Sequence, residues 1–196
     1  PSSVAKHLGL RKSTVSDGVR KLGEQGLVEH KPYGAVELTD TGRTYAVAMI
    51  RRHRLIETFL VEALGYTWDQ VHDEAENLEH SVSDFMVDRI DAFLDYPSRD
   101  PHGDPIPSAS GSVETPAAVP LTGVQPGHTA TIERIADDDP KLLKFLDSHG
   151  LVVGAQLEVA AGAPYSGAVE VRLAGALAAV QLGEAATDSV FVHVDE

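Results

Sequence analysis

At 196 residues with 42% apolar content, the chain can fill a proper core in one to two domains, and no apolar run approaches membrane-spanning length. Cysteine is absent, which excludes disulfides and thiolate ligands; with no signal-like start, the expected location is the cytoplasm. The net charge of −14 is uneven: residues 1–54 hold ten Lys/Arg and five Asp/Glu (net +5), residues 55–196 six and twenty-five (net −19), so a basic third that can meet DNA precedes an acidic remainder.

Residues 2–9 read as a short helix with Val4, Ala5 and Leu8 inward, followed by a tight turn at Gly9-Leu10-Arg11. A second helix is predicted from about Lys12 to Gln25, with Val15, Val19 and Leu22 on one face and Gly26 as its stop. Around it lie Arg11, Ser13, Thr14, Ser16, Asp17, Arg20 and Lys21, groups that can reach base edges and phosphates. Leu27–His30, a turn at Pro32-Tyr33-Gly34 and Ala35–Thr39 then read as a β-hairpin. Helix, turn, helix and hairpin in that order make a winged helix, and the basic balance favours DNA over protein as its ligand. The chain begins with Pro1 inside the first helical pattern, so a further N-terminal segment is expected ahead of it.

Asp40 to Leu64 is helical in pattern and closed by Gly65, with His53 and Glu57 four residues apart on one face. Thr67-Trp68-Asp69-Gln70 reads as a capping box opening the next helix. On that helix, with His72 as zero, Glu76 falls at about +40°, Glu79 at about −20° and His80 at about +80°, so two imidazoles and two carboxylates share one narrow face. The apolar Val71, Ala75, Leu78 and Val82 occupy the adjoining face. The pattern predicts a helix that packs on one side and coordinates a divalent metal on the other. A further amphipathic helix follows to about Leu94, its Val82, Met86, Ile90 and Phe93 stripe serving as core or subunit seam.

Residues 97–120 hold six of the eleven prolines and read as a linker. Beyond it, Ala130–Ile135, Gln156–Ala160, Ala168–Leu173 and Val190–Val194 read as short strands, with a brief helix Lys141–Ser148 started by Asp139-Pro140; together they imply a small barrel.

These residues carry a resemblance. Ser13-Thr14-Val15-Ser16, Leu38-Thr39-x-x-Gly42-Arg43, Arg52-His53-Arg54-Leu55-x-Glu57, Val71–Ala75, Glu79-His80 and Asp100-Pro101-x-Gly103-Asp104-Pro105-Ile106-Pro107 together resemble the metal-dependent repressors of the diphtheria-toxin-repressor type, which include the manganese transport regulators. The resemblance implies an α+β chain with a winged helix-turn-helix over 1–42 and an all-α dimerisation and metal-binding domain over 43–96. The linker over 97–120 would then lead to an SH3-like barrel over 121–196. It implies that Glu76, Glu79 and His80 form an activating site, completed by a ligand or two from the N-terminal helix expected ahead of Pro1. It places His53, Glu57 and His72 in an ancillary site that takes further ligands from the barrel, where Asp139 and Leu142 align. Leucine cannot ligate, and Asp137 and Asp138 are the neighbouring carboxylates that can substitute. Iron-type members have cysteine where this chain has Glu76, and manganese-type members have glutamate.

The expected function is therefore that of a Mn2+-dependent repressor, binding an inverted-repeat operator as a homodimer and controlling metal-uptake genes. Fe2+ is the alternative activator, and Zn2+ and Co2+ are expected to substitute in vitro. A hydrolytic metalloenzyme is disfavoured because no HExxH motif, nucleophile or phosphate loop accompanies the cluster. A transport adaptor without DNA binding is the third reading, and an operator-binding titration with metal separates all three.

Overall fold

The computed structural model describes residues 2–30 and 35–195. Helices α1 (Ser2–His7) and α2 (Lys12–Glu24) are joined through Gly9 at φ +63, and α2 stops before Gly26 at φ +71, positions where a Cβ would be strained. Strands β1 (Val28–His30) and β2 (Val36–Leu38) pair antiparallel. The expected turn at Pro32-Tyr33-Gly34 lies outside the described residues.

The wing is welded to the long helix α3 (Asp40–Leu64) by two residues. The Thr39 hydroxyl accepts from the Gly42 amide at 2.9 Å and donates to the Gly26 carbonyl at 2.7 Å. A Cβ on Gly42 would stand 1.8 Å from the Leu27 carbonyl oxygen, so only glycine lets helix and hairpin touch there. An N-cap of this kind contributes about 1 kcal/mol. α3 ends at Gly65, left-handed at φ 73.

Two helices pack on α3. α4 (Val71–Glu79) starts later than the capping box suggests: residues 68–70 form a turn, in which the Gln70 side chain accepts from the Thr67 amide at 3.4 Å. α5 (Asp84–Phe93) is capped by Ser83. Leu55, Ile56 and Leu60 of α3, Val71 and Ala75 of α4, and Val87 and Ile90 of α5 form one core, closed by Ile106. Burying each of the larger side chains is worth about 1.5–3 kcal/mol.

The C-terminal unit is an antiparallel six-stranded sheet ordered β3-β8-β4-β5-β6-β7. Its strands are β3 (Val119–Pro120), β4 (Thr129–Ile135), β5 (Gln156–Ala161), β6 (Val169–Leu173), β7 (Val180–Leu182) and β8 (Val190–Val194), with helices α6 (Pro140–Ser148) and α7 (Glu184–Ser189). It curls around Leu121, Ile132, Ile135, Leu143, Leu146, Leu157 and Val192, as expected of a small SH3-like fold. Strands β3 and β7 and helix α7 were not legible in the sequence.

The proline-rich stretch differs most from expectation, because its first half is packed between domains. Arg54 of α3 donates to the Pro105 carbonyl at 2.6 Å and to Asp104 at 3.1 Å, while Arg51 donates to the Pro107 carbonyl at 2.7 Å. On the other side, a bulge in β4 between Ile132 and Arg134 takes Glu133 out of the ladder with β8. The freed Glu133 carbonyl accepts from Arg99 at 3.1 Å, the Ile135 amide donates to the His102 carbonyl at 2.9 Å, and Arg134 reaches Asp104 at 3.1 Å. Residues 99–107 thus clamp the sheet to α3.

Candidate metal centre

α3 supplies His53 and Glu57 one turn apart, and α4 lies against it so that His72 projects between them. His53 Nε2 stands 3.0 Å from Glu57 Oε1 and 3.3 Å from His72 Nδ1, and His72 Nδ1 stands 3.4 Å from the same Glu57 oxygen. The segment between β4 and α6 contributes Asp137, whose Oδ2 is 3.1 Å from His72 Nδ1. Asp139, the aligned candidate, is engaged elsewhere: it caps α6 by accepting from the amides of Lys141 and Leu142. Asp-Pro at a helix start is a capping signal, and Asp139 makes that cap here, while Asp137 is the carboxylate that lies beside His72.

Sequence reasoning missed His102, which lies in a Pro/Gly loop where no periodicity marks it. It is fully buried, and its Nε2 faces the Trp68 carbonyl at 2.7 Å. A carbonyl only accepts, so Nε2 carries the hydrogen, and Nδ1 is the nitrogen left to a ligand. The Asp100 carboxylate fixes the loop, with Oδ1 accepting from the amides of His102 and Asp104, both at 2.9 Å. Among the described residues, three buried side-chain polar atoms lack a partner, Glu57 Oε2, His102 Nδ1 and Trp68 Nε1, and the first two belong to residues of the candidate donor sets. Among the described residues, two sets of donors lie mutually within 4.8 Å, His53 with Glu57 and His72, and Glu57 with His102 and Asp137.

Charge follows geometry. The hydrogen bonds and charges of Asp137, then Glu57, hold His72 protonated to about 10, and the hydrogen bond from His72 holds Asp137 down to about 2. Burial would lower the His53 pKa, but hydrogen bonds to Glu57 and Glu79 raise it; burial would raise that of Glu57, but hydrogen bonds from His53 and His72 lower it. Asp100 is pushed up to about 8 by burial and by the charges of Glu57 and Asp104. The buried carboxylates are thus neutralised by imidazolium protons, which is where a divalent cation fits.

The second candidate set is more open. α4 ends at Glu79, so His80 is its C-cap rather than a helical residue, and its ring is largely exposed. Glu79 spans the two sets: Oε1 is 3.4 Å from His80 Nε2 and Oε2 is 2.8 Å from His53 Nδ1. Arg52 of α3 binds the carbonyls of Glu79 and Val82 and the Asp84 carboxylate, holding this helix end in place. Glu76 is solvent-exposed and joins no close donor set among the described residues.

At the other end of the molecule, Arg11, Ser13, Thr14, Ser16, Asp17, Arg20 and Lys21 are all exposed on or beside α2. Arg20 is paired with Glu24 at 2.9 Å and with Asp17 at 3.7 Å.

Residues 1–36 match the N-terminal DNA-binding domain of iron-dependent repressors, residues 39–108 their metal-binding and dimerisation domain, and residues 119–192 the FeoA domain. The diphtheria toxin repressor of Corynebacterium efficiens is 30% identical over 166 residues, spanning 80% of this chain and 72% of that protein. The chain belongs to the diphtheria-toxin-repressor family of metal-dependent transcriptional repressors. This repressor is also 31% identical over 169 residues to the iron-dependent repressor IdeR of Mycobacterium leprae, spanning 80% of this chain and 73% of that one. Its fold matches a manganese-dependent transcriptional repressor in complex with manganese at TM-score 0.89 and 51% identity, covering 96% of this chain and 87% of that one. It matches ScaR with bound Cd2+ at TM-score 0.81 and 32% identity, covering 98% and 89%. No helix among the described residues of the repressor is long and apolar enough to cross a membrane.

Proposed function

We propose that this repressor answers to Mn2+ and binds an inverted-repeat operator as a homodimer. The observation that carries the reading is the donor inventory: His53, Glu57 and His72 in one set, Glu57, His102 and Asp137 in another, and Glu76, Glu79 and His80 along the last turn and C-cap of α4, all oxygen or imidazole, in a chain without a single thiolate. Such sets suit hard, high-coordination ions, whereas sulfur selects softer ones. The likeness to a manganese-dependent repressor at 51% identity supports the same ion.

Within this reading the helical domain, residues 43–96, holds the ions and the dimer seam, the winged helix, residues 1–42, reads DNA, and the SH3-like domain, residues 121–196, lends Asp137. Phe85 and Phe93, large apolar groups exposed on α5, suit the seam. A divalent ion supplies the positive charge that the imidazolium protons otherwise provide, and binds the DNA-competent state more tightly than the alternative. Glu79 orients His53 through Nδ1 while leaving Nε2 to face Glu57, and Arg52 fixes the helix end that carries Glu79 and His80. In the DNA-bound dimer Ser13, Thr14, Ser16 and Asp17 face bases, and Arg11, Arg20 and Lys21 face phosphates. Two such domains about a two-fold axis read a palindrome.

The test is operator affinity at fixed free metal across Mn2+, Fe2+, Co2+ and Zn2+, for wild type and Glu76→Cys. The wild type is expected to answer best to Mn2+, and the variant to shift towards the other three. Iron is the second reading, favoured by the relatives named as iron-dependent repressors; a wild type that answers to Fe2+ but not Mn2+ decides for it.

A further inference from the structure

Helix α2 carries two residues that its own fold does not ask for. Asp17 is the only acidic side chain between Ser2 and Gly23, a stretch with five Lys/Arg. It stands in the middle of α2, past the first turn where a carboxylate would favour the helix dipole. Its contact with Arg20 is long, at 3.7 Å, and the two side chains are 70% and 60% exposed, so the pair adds little to stability. Arg20 already has Glu24 at 2.9 Å. Beside Asp17 is Gly18. Its backbone is helical, and a Cβ there would meet nothing within 4 Å among the described residues. Neither conformation nor internal packing therefore requires glycine, the residue a helix interior tolerates least after proline.

Position shows what the two residues face. With the buried Val15 taken as zero, Asp17 falls at about 200° around α2, Arg20 at about 140° and Lys21 at about 240°. The carboxylate thus occupies the centre of the outward face, with a cation on each side. In a winged helix laid in the major groove, that centre meets base edges and the flanks meet phosphates. A carboxylate only accepts, and the groove edges of the bases offer donors only at cytosine N4 and adenine N6. Adenine N6 stands beside the N7 acceptor, which repels a carboxylate, whereas cytosine presents its donor with no acceptor on the same base. Aspartate is short, so it reaches a base only if the helix lies deep. Gly18, at about 300°, removes the side chain that would hold one flank of the helix off the groove wall.

We propose that Asp17 reads a cytosine in each operator half-site through its N4 amino group, and that Gly18 lets the helix lie deep enough for so short a side chain to reach it. The proposal rests on the reading of the protein as an operator-binding dimer and names a base that it selects. It also gives specificity by exclusion: against guanine or thymine the carboxylate would face acceptors alone, and an unpaired charge opposes binding.

The experiment selects duplexes from a pool with a random core, using the full-length protein with Mn2+ and again with Fe2+, alongside Asp17→Asn, Asp17→Ala and Gly18→Ala. The wild type is expected to return a two-fold-symmetric site with cytosine at one fixed position of each half. Asp17→Asn should change that position, and no other, to adenine, because an amide pairs with both N6 and N7. Asp17→Ala should leave it without preference. In fluorescence anisotropy, exchanging the selected C·G pair for T·A should weaken wild-type binding by roughly 10-fold or more and that of Asp17→Ala by less than about twofold. Gly18→Ala should raise the melting temperature yet bind the selected duplex several-fold more weakly, opposite signs that a purely structural glycine does not give. Asp17 is exposed, so its variants report recognition and not folding. A symmetric site with the same bases for wild type and Asp17→Asn, or a changed position that held any base but cytosine, overturns the assignment while the repressor reading stands. A Gly18→Ala protein that binds as tightly as wild type overturns the part given to Gly18. A wild type that selects no sequence with either metal removes the repressor reading, and the assignment with it.

Discussion

Gly103 presses its backbone onto Glu133: a Cβ there would stand 2.1 Å from the Glu133 carbonyl oxygen and 2.9 Å from the Arg134 Cα, and its φ of +87 independently favours glycine. The 99–107 loop and the SH3-like domain thus meet backbone to backbone, next to His102 and two residues before β4 ends at Ile135.

Gly103→Ala is expected to unseat the sheet, at a cost of about 1–3 kcal/mol for overpacking alone. The helical domain should keep its own melting transition. Small-angle scattering should show a larger radius, and metal binding that depends on His102 and Asp137 should be lost while the response through Glu76, Glu79 and His80 survives. A variant with unchanged radius and metal count would show that the contact is not what seats the domain.

Metal binding beside Glu57 should strengthen with pH. His72 keeps its proton to about 10 in the metal-free protein, chiefly through Asp137 and then Glu57, and an ion can take Nδ1 only by displacing that proton. Apparent affinity should therefore rise by at least about tenfold per pH unit between pH 6.5 and 8. The stability of the metal-free protein behaves differently. The raised His72 value contributes stability that is complete below about 6.5 and lost as pH rises through about 10; the depressed Asp137 value contributes stability present above about 3.8 and lost as pH falls through about 2. The pair is thus intact across neutral pH. Calorimetric titration of Mn2+ into wild type and His72→Ala checks the first statement: the variant should show a shallower slope.

Glu76→Ala and His80→Ala should each leave a folded dimer whose operator affinity no longer responds to Mn2+. Both side chains are exposed, so truncation should change stability by less than about 0.5 kcal/mol. Thermal melts alongside gel shifts test the pair of claims. Preserved metal stimulation in both variants removes these residues from the activating site.

Arg20→Ala and Lys21→Ala should weaken operator and non-operator binding alike and lower the salt slope by about 1 each. Arg20 has to give up Glu24 and Asp17 to reach a phosphate, so Glu24→Gln should tighten binding modestly. Fluorescence anisotropy across salt concentrations measures all three. A loss confined to the cognate sequence would place these side chains on bases.

What could be seen in the sequence was what local chemistry controls. The Gly26 and Gly65 stops punctuate helical periodicity, so α2 and α3 could be read within a residue or two. Glu79 and His80 stood out by spacing. His102 did not, because its role depends on Asp100 bending the loop and on Trp68 turning a carbonyl towards it, neither of which leaves a periodic trace. Among Asp137, Asp138 and Asp139, the choice turned on the path of the chain after the β4 bulge. The Pro-rich segment read as a linker because proline rules out helix, not packing. Arg51 and Arg54, 56 and 51 residues before the carbonyls they bind, hold it down.

Trp68 is the chain's only tryptophan, and it lies against the core of the sheet while stacking on the His102 ring, with centroids 5.8 Å apart and planes at 21°. Its indole thus belongs to neither domain alone. The protein therefore carries an intrinsic optical gauge at its main joint: emission wavelength follows whether the sheet is seated, and quenching by a paramagnetic ion follows whether His102 has been engaged. Both can be followed in a single cuvette, without a label, while DNA is added.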